Sequence, residues 1–123
     1  NIKKIAIFTP YSKKLNDEVI GYFLSQGFDI VTNTYLDIAT DYDIGKVDQN
    51  FLLKTLSKIK IQNADALFIS CTALPVLNII ERLEKELGKP VITSNQSLIW
   101  DTLETIGMNK NIQGFGKLFN LDQ

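Results

Sequence analysis

The sequence predicts an α/β fold with three layers: a four-stranded parallel sheet with helices on both faces. Three observations carry this. Short apolar runs alternate with longer segments of helical periodicity in the order β-α-β-α-β-α-β-α, and such alternation builds a parallel sheet covered by helices. The apolar runs are continuous, as strands buried on both faces require. The helical segments carry start and stop signals at their ends. With 123 residues the chain has the length of one compact domain, and residues 1–123 are expected to form it.

The elements follow in order. KKIAIFTP (Lys3 to Pro10) reads as a buried strand closed by a turn signal. In the helix that follows, Asn16 is the expected N-cap, Asp17 and Glu18 favour the first turn, and Gly27 marks the stop. Val19, Ile20, Phe23 and Leu24 fall on its apolar face. FDIVTNTYL (Phe28 to Leu36) reads as a second strand, rich in β-branched and aromatic residues. DIATDYDIGKV, with Asp37, Asp41 and Asp43, reads as a polar loop. Asp48 caps a second helix whose buried stripe is Phe51, Leu52, Leu56 and Ile59. DALFIS is the third strand. After CTALP a third helix is expected through VLNIIERLEKELG, with Thr72 as its N-cap, Pro75 in its first turn and Gly88 at its end. KPVITS is the fourth strand and NQSLIWDTLETIG the fourth helix, with Asn95 able to cap it and Gly107 ending it. The tail MNKNIQGFGKLFNLDQ is turn-rich, with Gly114 and Gly116 around Phe115.

Composition removes several functions. Lys+Arg number 13 and Asp+Glu 14, for a net charge of -1, which argues against a nucleic-acid partner. No apolar run approaches the roughly 20 residues of a membrane helix. The basic opening segment has too short an apolar stretch for a secretory signal, and a single cysteine excludes an internal disulfide; a cytoplasmic setting is expected. There is no histidine. That excludes a Ser-His-Asp triad, a Cys-His pair within the chain and a His-liganded metal. One cysteine and no histidine also argue against a zinc site.

Open parallel sheets bind ligands beyond the carboxyl ends of their strands. Those ends are TPYS, YLDIATDYD, SCTALP and TSNQS, and they hold Tyr11, Asp41, Cys71, Thr72, Asn95 and Gln96. If a helix begins at Thr72, the N–H groups of Thr72, Ala73 and Leu74 would favour a thiolate at Cys71 and could hold a carboxylate or enolate oxygen. The plainer reading is that Cys71 is a small buried hydrophobe, that Asn95 only caps a helix, and that Tyr11 only covers the sheet.

KKIAIFTPYSKKLND, DALFISCTALPVLNIIERLEKELGKPVITSNQSLIWDTL and IQGFGKLF together resemble the maleate cis-trans isomerase and arylmalonate decarboxylase family of the aspartate/glutamate racemase superfamily. The resemblance implies a fold of two similar α/β halves with the active site between them, of which this chain is similar to the second, C-terminal half. It implies chemistry without metal or pyridoxal phosphate, with one cysteine from each half in racemases and isomerases. Cys71 would be the catalytic cysteine of this half. Tyr11 would bind substrate, Thr72 and Ala73 would hold a carboxylate through their backbone, and Asn95 and Asp41, the latter standing where an asparagine is expected, would complete the substrate-binding set. The implied function is isomerisation of a small dicarboxylate of the maleate-to-fumarate type, with the missing N-terminal half or a second subunit, such as a homodimer mate, as partner. Amino-acid racemisation and arylmalonate-type decarboxylation are alternatives within the superfamily. A non-catalytic carboxylate-binding domain is the alternative outside it.

Overall fold

The computed structural model describes residues 1–120. Along it run β1 (Lys4–Thr9), α1 (Lys13–Ser25), β2 (Asp29–Tyr35), α2 (Asp41–Gly45), α3 (Gln49–Leu56), β3 (Ala66–Ile69), α4 (Ile80–Leu87), β4 (Val91–Thr93) and α5 (Ser94–Thr105). Single 3-10 turns occupy Leu77–Ile79 and Lys117–Asn120. The end of the turn-rich tail, residues 121–123, lies outside the described residues. The strands form one parallel sheet in the order β2-β1-β3-β4. The chain first builds outward from β1 to β2, then returns to place β3 on the other side of β1. The connections after β1 and β3 therefore diverge, and it is beside such a reversal of order that open sheets bind ligands.

Side-chain alternation sorts the layers. Ala6, Phe8, Leu67 and Ile69 join one core with Leu52, Leu53 and Leu56 of α3 and Ile80 and Leu83 of α4. On the other face Phe23 of α1 meets Phe68 of β3 at 4.9 Å between ring centres, and Ile5, Phe68 and Ile92 share a cleft with Phe23 and with Ser97 of α5. Among the described residues no helix is long and apolar enough to cross a membrane.

The first helix begins earlier than the sequence suggests. Ser12, not Asn16, caps it by accepting the Leu15 N–H. Asn16 sits one turn inside and is buried, because β1 ends on a buried hydroxyl that needs a partner. Thr9 Oγ1 donates to Asn16 Oδ1 at 2.8 Å, and Asn16 Nδ2 donates to Asn33 Oδ1 of β2 at 2.7 Å. The inward stripe is centred on Asn16, Val19, Ile20 and Phe23, which leaves Leu24 on the flank and 53% exposed. Phe51, expected in the core, is 49% exposed. It lines a groove with Thr32 and Thr34 of β2, an edge strand beyond which there is no sheet to cover it.

DIATDYDIG is not a loop throughout. Thr40 caps α2 by accepting the Asp43 N–H, and Ile44 anchors the short helix in the core. Asp41 and Asp43 lie in its first turn, where the helix dipole favours negative charge. Asp48 caps α3 as expected. Thr93, rather than Asn95, caps α5, through a reciprocal capping box with Gln96. The tail is latched back onto the sheet: Gln96 Nε2 donates to the Phe115 carbonyl at 2.5 Å, and the buried Glu84 carboxylate accepts the N–H groups of Val91 and Lys117.

Candidate active site

Tyr11 and Cys71 follow the two central strands, each two residues beyond the strand end. The ladder continues past β3 through the Ser70 N–H, which donates to the Phe8 carbonyl at 3.0 Å. This brings the two exits side by side. The Tyr11 hydroxyl and Ser70 Oγ are hydrogen-bonded at 3.1 Å. The backbone around Tyr11 is braced by the chain leaving β2. The N–H groups of Leu36, Asp37 and Ile38 donate to the carbonyls of Thr9, Tyr11 and Pro10.

Burial raises the Tyr11 phenol above its ordinary value of 10.0. The Cys71 sulfur, within hydrogen-bonding reach, and the Asp41 carboxylate push the same way, against a lowering by the Ser70 bond. Cys71 and Asp41, far apart in sequence, therefore both bear on Tyr11. The phenol remains a hydrogen-bond donor throughout the neutral range.

Cys71 is 7% exposed and packs against the core, so the plainer reading of it is right as to burial. Its backbone is not that of an ordinary core residue. Its φ of 98° lies in the left-handed region, which costs an L-residue roughly 1–2 kcal/mol. Strain of this kind persists where surrounding structure over-determines it, and it gathers at functional sites. The Cys71 N–H donates to Ser94 Oγ at 3.1 Å, and Asn95 Nδ2 donates to the Thr72 carbonyl at 3.0 Å.

The expected helix start at Thr72 is not there. Residues 72–74 form a turn, Pro75 precedes the helical region, and α4 begins only at Ile80 after the 3-10 turn. The cause is local. Cys71 is left-handed, and the residue before a proline, here Leu74, is disfavoured in the α region. The helix that follows therefore does not begin at Cys71. Instead, among the described residues, the N–H groups of Thr72 and Ala73 reach no acceptor, and they lie directly after the thiol. Pairs of backbone donors are what an oxyanion or carboxylate needs.

Asp41 is exposed at the start of α2. The end of that helix approaches the cysteine loop: a Cβ on Gly45 would stand 3.8 Å from the Ala73 carbonyl. Gln96 is not part of the site; its fully buried side chain is committed to the capping box and the tail. Two further contributors, Ser70 and Ser94, escape sequence reasoning. Ser70 adjoins the cysteine and ends a strand, but Ser94 carries no signal beyond its place after the fourth strand.

A family model described as arylmalonate decarboxylase matches residues 1–119. The maleate isomerase of Geobacillus stearothermophilus is 29% identical over 119 residues, 96% of this chain and 47% of that protein. Two solved structures superpose closely. A mutant maleate cis-trans isomerase of Nocardia farcinica with a covalently bound succinylcysteine intermediate has a TM-score of 0.94 and 24% identity, over 99% of this chain and 50% of that one. A mutant maleate isomerase of Pseudomonas putida S16 with maleate has a TM-score of 0.92 and 25% identity, over 96% and 48%. The chain thus spans about half the length of the relatives it matches.

Proposed function

We propose, from the premise that the chain belongs to the arylmalonate decarboxylase family, that it supplies the Cys71 half of a cofactor-independent isomerase acting on a small cis-dicarboxylate such as maleate. The observation that carries this reading is the meeting, at the crest of the two central strands, of Tyr11, hydrogen-bonded to Ser70, with Cys71, the strained residue that follows Ser70. The neighbouring Thr72 and Ala73 N–H groups are suited to a substrate carboxylate, and Tyr11 to a second hydrogen bond on the same group. In the step itself, a thiolate adds to one alkene carbon and the π electrons move into the adjacent carboxylate. The central bond becomes single and rotates. Return of the electron pair expels the thiolate and leaves the trans isomer. The two backbone donors stabilise the charge while it resides on the carboxylate. Cys71 is either this nucleophile or the acid that meets the developing carbanion.

The test uses the full-length gene product with maleate, followed to fumarate by proton NMR. Cys71→Ala and Cys71→Ser should lose at least about a thousandfold in kcat/KM, as loss of a covalent or acid-base group does, with the fold retained. Full activity in either variant refutes the reading. A succinyl adduct on the Cys71 peptide after quenching assigns it as nucleophile; an adduct elsewhere assigns it as acid.

A second reading rests on Asp41. Its charge bears on the Tyr11 phenol and would repel a dianion while favouring a substrate with an ammonium group. This supports amino-acid racemisation, which α-deuterium uptake from D₂O would reveal.

A further inference from the structure

Two non-glycine residues among those described have positive φ, Asp37 and Cys71. Asp is a residue type that tolerates this region and Cys is not. Something outside Cys71 must hold it there, and the contacts come from one place. Ser94, the first residue of α5, accepts the Cys71 N–H at 3.1 Å. Its neighbour Asn95 donates to the Thr72 carbonyl at 3.0 Å. One bond fixes the amide that enters Cys71 and the other fixes the carbonyl that leaves Thr72. Between them lie the φ and ψ angles of both residues, the four dihedrals that aim the thiol and the Thr72 N–H.

We propose that Ser94 and Asn95 are positioning residues: together they clamp the Cys71–Thr72 peptide so that the thiol and the backbone donors face one bound carboxylate. Asn95 thereby acts through Thr72 rather than on the substrate. The clamp is itself held in place. The Thr93–Gln96 capping box fixes the first turn of α5, and Gln96 ties that turn to the Phe115 carbonyl. Neither clamp residue can shift without disturbing that turn. The geometry stands on its own; its consequence for turnover rests on the isomerase reading above.

The experiment has two arms, both on the full-length gene product. The first follows exchange of the Cys71 amide by NMR after selective ¹⁵N-cysteine labelling, with the melting temperature as a check on the fold. Ser94→Ala and Asn95→Ala should each speed that exchange, and Ser94→Thr, which keeps the hydroxyl, should restore it. The second measures kcat and KM with maleate. Both alanine variants should lose at least about tenfold in kcat, as a displaced reacting group does, with a much smaller change in KM, and Ser94→Thr should recover most of the loss. Unchanged Cys71 exchange in the alanine variants overturns the clamp. Faster exchange with parental kcat overturns its positioning role. If the parent leaves maleate untouched, the isomerase reading fails instead. The clamp is then decided by amide exchange and by the rate of Cys71 alkylation with iodoacetamide: altered in both alanine variants and recovered in Ser94→Thr supports it, and unaltered overturns it.

Discussion

Replacing Gly116 with alanine tests how firmly the tail is bound to the body that carries the site. Gly116 has a φ of 89°, and a Cβ there would lie 2.7 Å from Ile80 Cγ2, 3.1 Å from Gln96 Nε2 and 3.2 Å from Glu84 Oε1. Two costs add. The left-handed backbone costs an L-residue roughly 1–2 kcal/mol. Overpacking a filled core costs typically about 1–3 kcal/mol, and Ile80 has little freedom to yield, being fully buried, β-branched and helical. The expected loss is therefore about 2–5 kcal/mol, a large part of the roughly 5–15 kcal/mol that stabilises a typical domain. Gly114 provides the control. Its φ of 92° carries the same backbone cost, but a Cβ there meets nothing within 4 Å, so Gly114→Ala should lose only about 1–2 kcal/mol. The difference between the variants isolates the packing contribution. Urea unfolding of the full-length gene product gives the overall losses, and exchange of the Lys117 amide gives the local one. Equal losses in the two variants would refute the reasoning, as would a Gly116→Ala protein within about 0.5 kcal/mol of the parent.

Two further substitutions probe backbone strain and charge. Cys71→Gly relieves roughly 1–2 kcal/mol of left-handed strain that Cys71→Ala retains. Against this stand about 0.8 kcal/mol for one buried carbon and about 0.5–1 kcal/mol of glycine chain entropy. The two variants should thus be nearly equal in stability, and a glycine variant weaker than the alanine one by about 1.5 kcal/mol or more would show that the strain is not there. Asp65 accepts the N–H groups of Lys3 and Lys4, both at 2.8 Å, and these bonds hold its carboxyl below the usual 3.8. A lowered folded pKa adds stability that is present above the unfolded value and is lost as pH falls through the folded one. Asp65→Asn should therefore melt lower than the parent at neutral pH, with the gap closing in strong acid; a gap independent of pH would contradict the assignment.

The succession of strands and helices was legible because it depends on local signals: continuous apolar runs, helical stripes, Asp48 as a cap, and glycines such as Gly88 at φ 65° as a stop. Several departures involve partners distant in sequence. Asn16 has an excellent cap chemistry, but Thr9 and Asn33 claim its side chain from two strands, and Ser12 takes the cap. DIATDYDIG looks like a loop until Ile44 finds the core. The strand ends pointed to Tyr11, Asp41 and Cys71, and in the fold Cys71 and Asp41 both bear on Tyr11. They could not separate Gln96, which faces the tail, from Asn95, which faces Thr72. Nor does a cysteine announce a left-handed backbone, so the mistaken helix start at Thr72 was the natural reading of SCTALP.

What replaces that reading is a cysteine loop that heads no helix of its own and is met instead by the first turn of α5. The chain holds no histidine. The Tyr11 phenol, raised by burial and by its negative neighbours, keeps its proton and can offer only a hydrogen bond. The Ser70 hydroxyl is engaged with that phenol. Of the residues that meet at the crest, Cys71 is then the one whose side chain is suited to forming a bond to carbon. On the isomerase reading, its support would come from the N–H groups of Thr72 and Ala73, whose direction depends on a few dihedrals, so such a site would tolerate little backbone freedom. A strained Cys71 bonded from outside its own loop by Ser94 fits that demand.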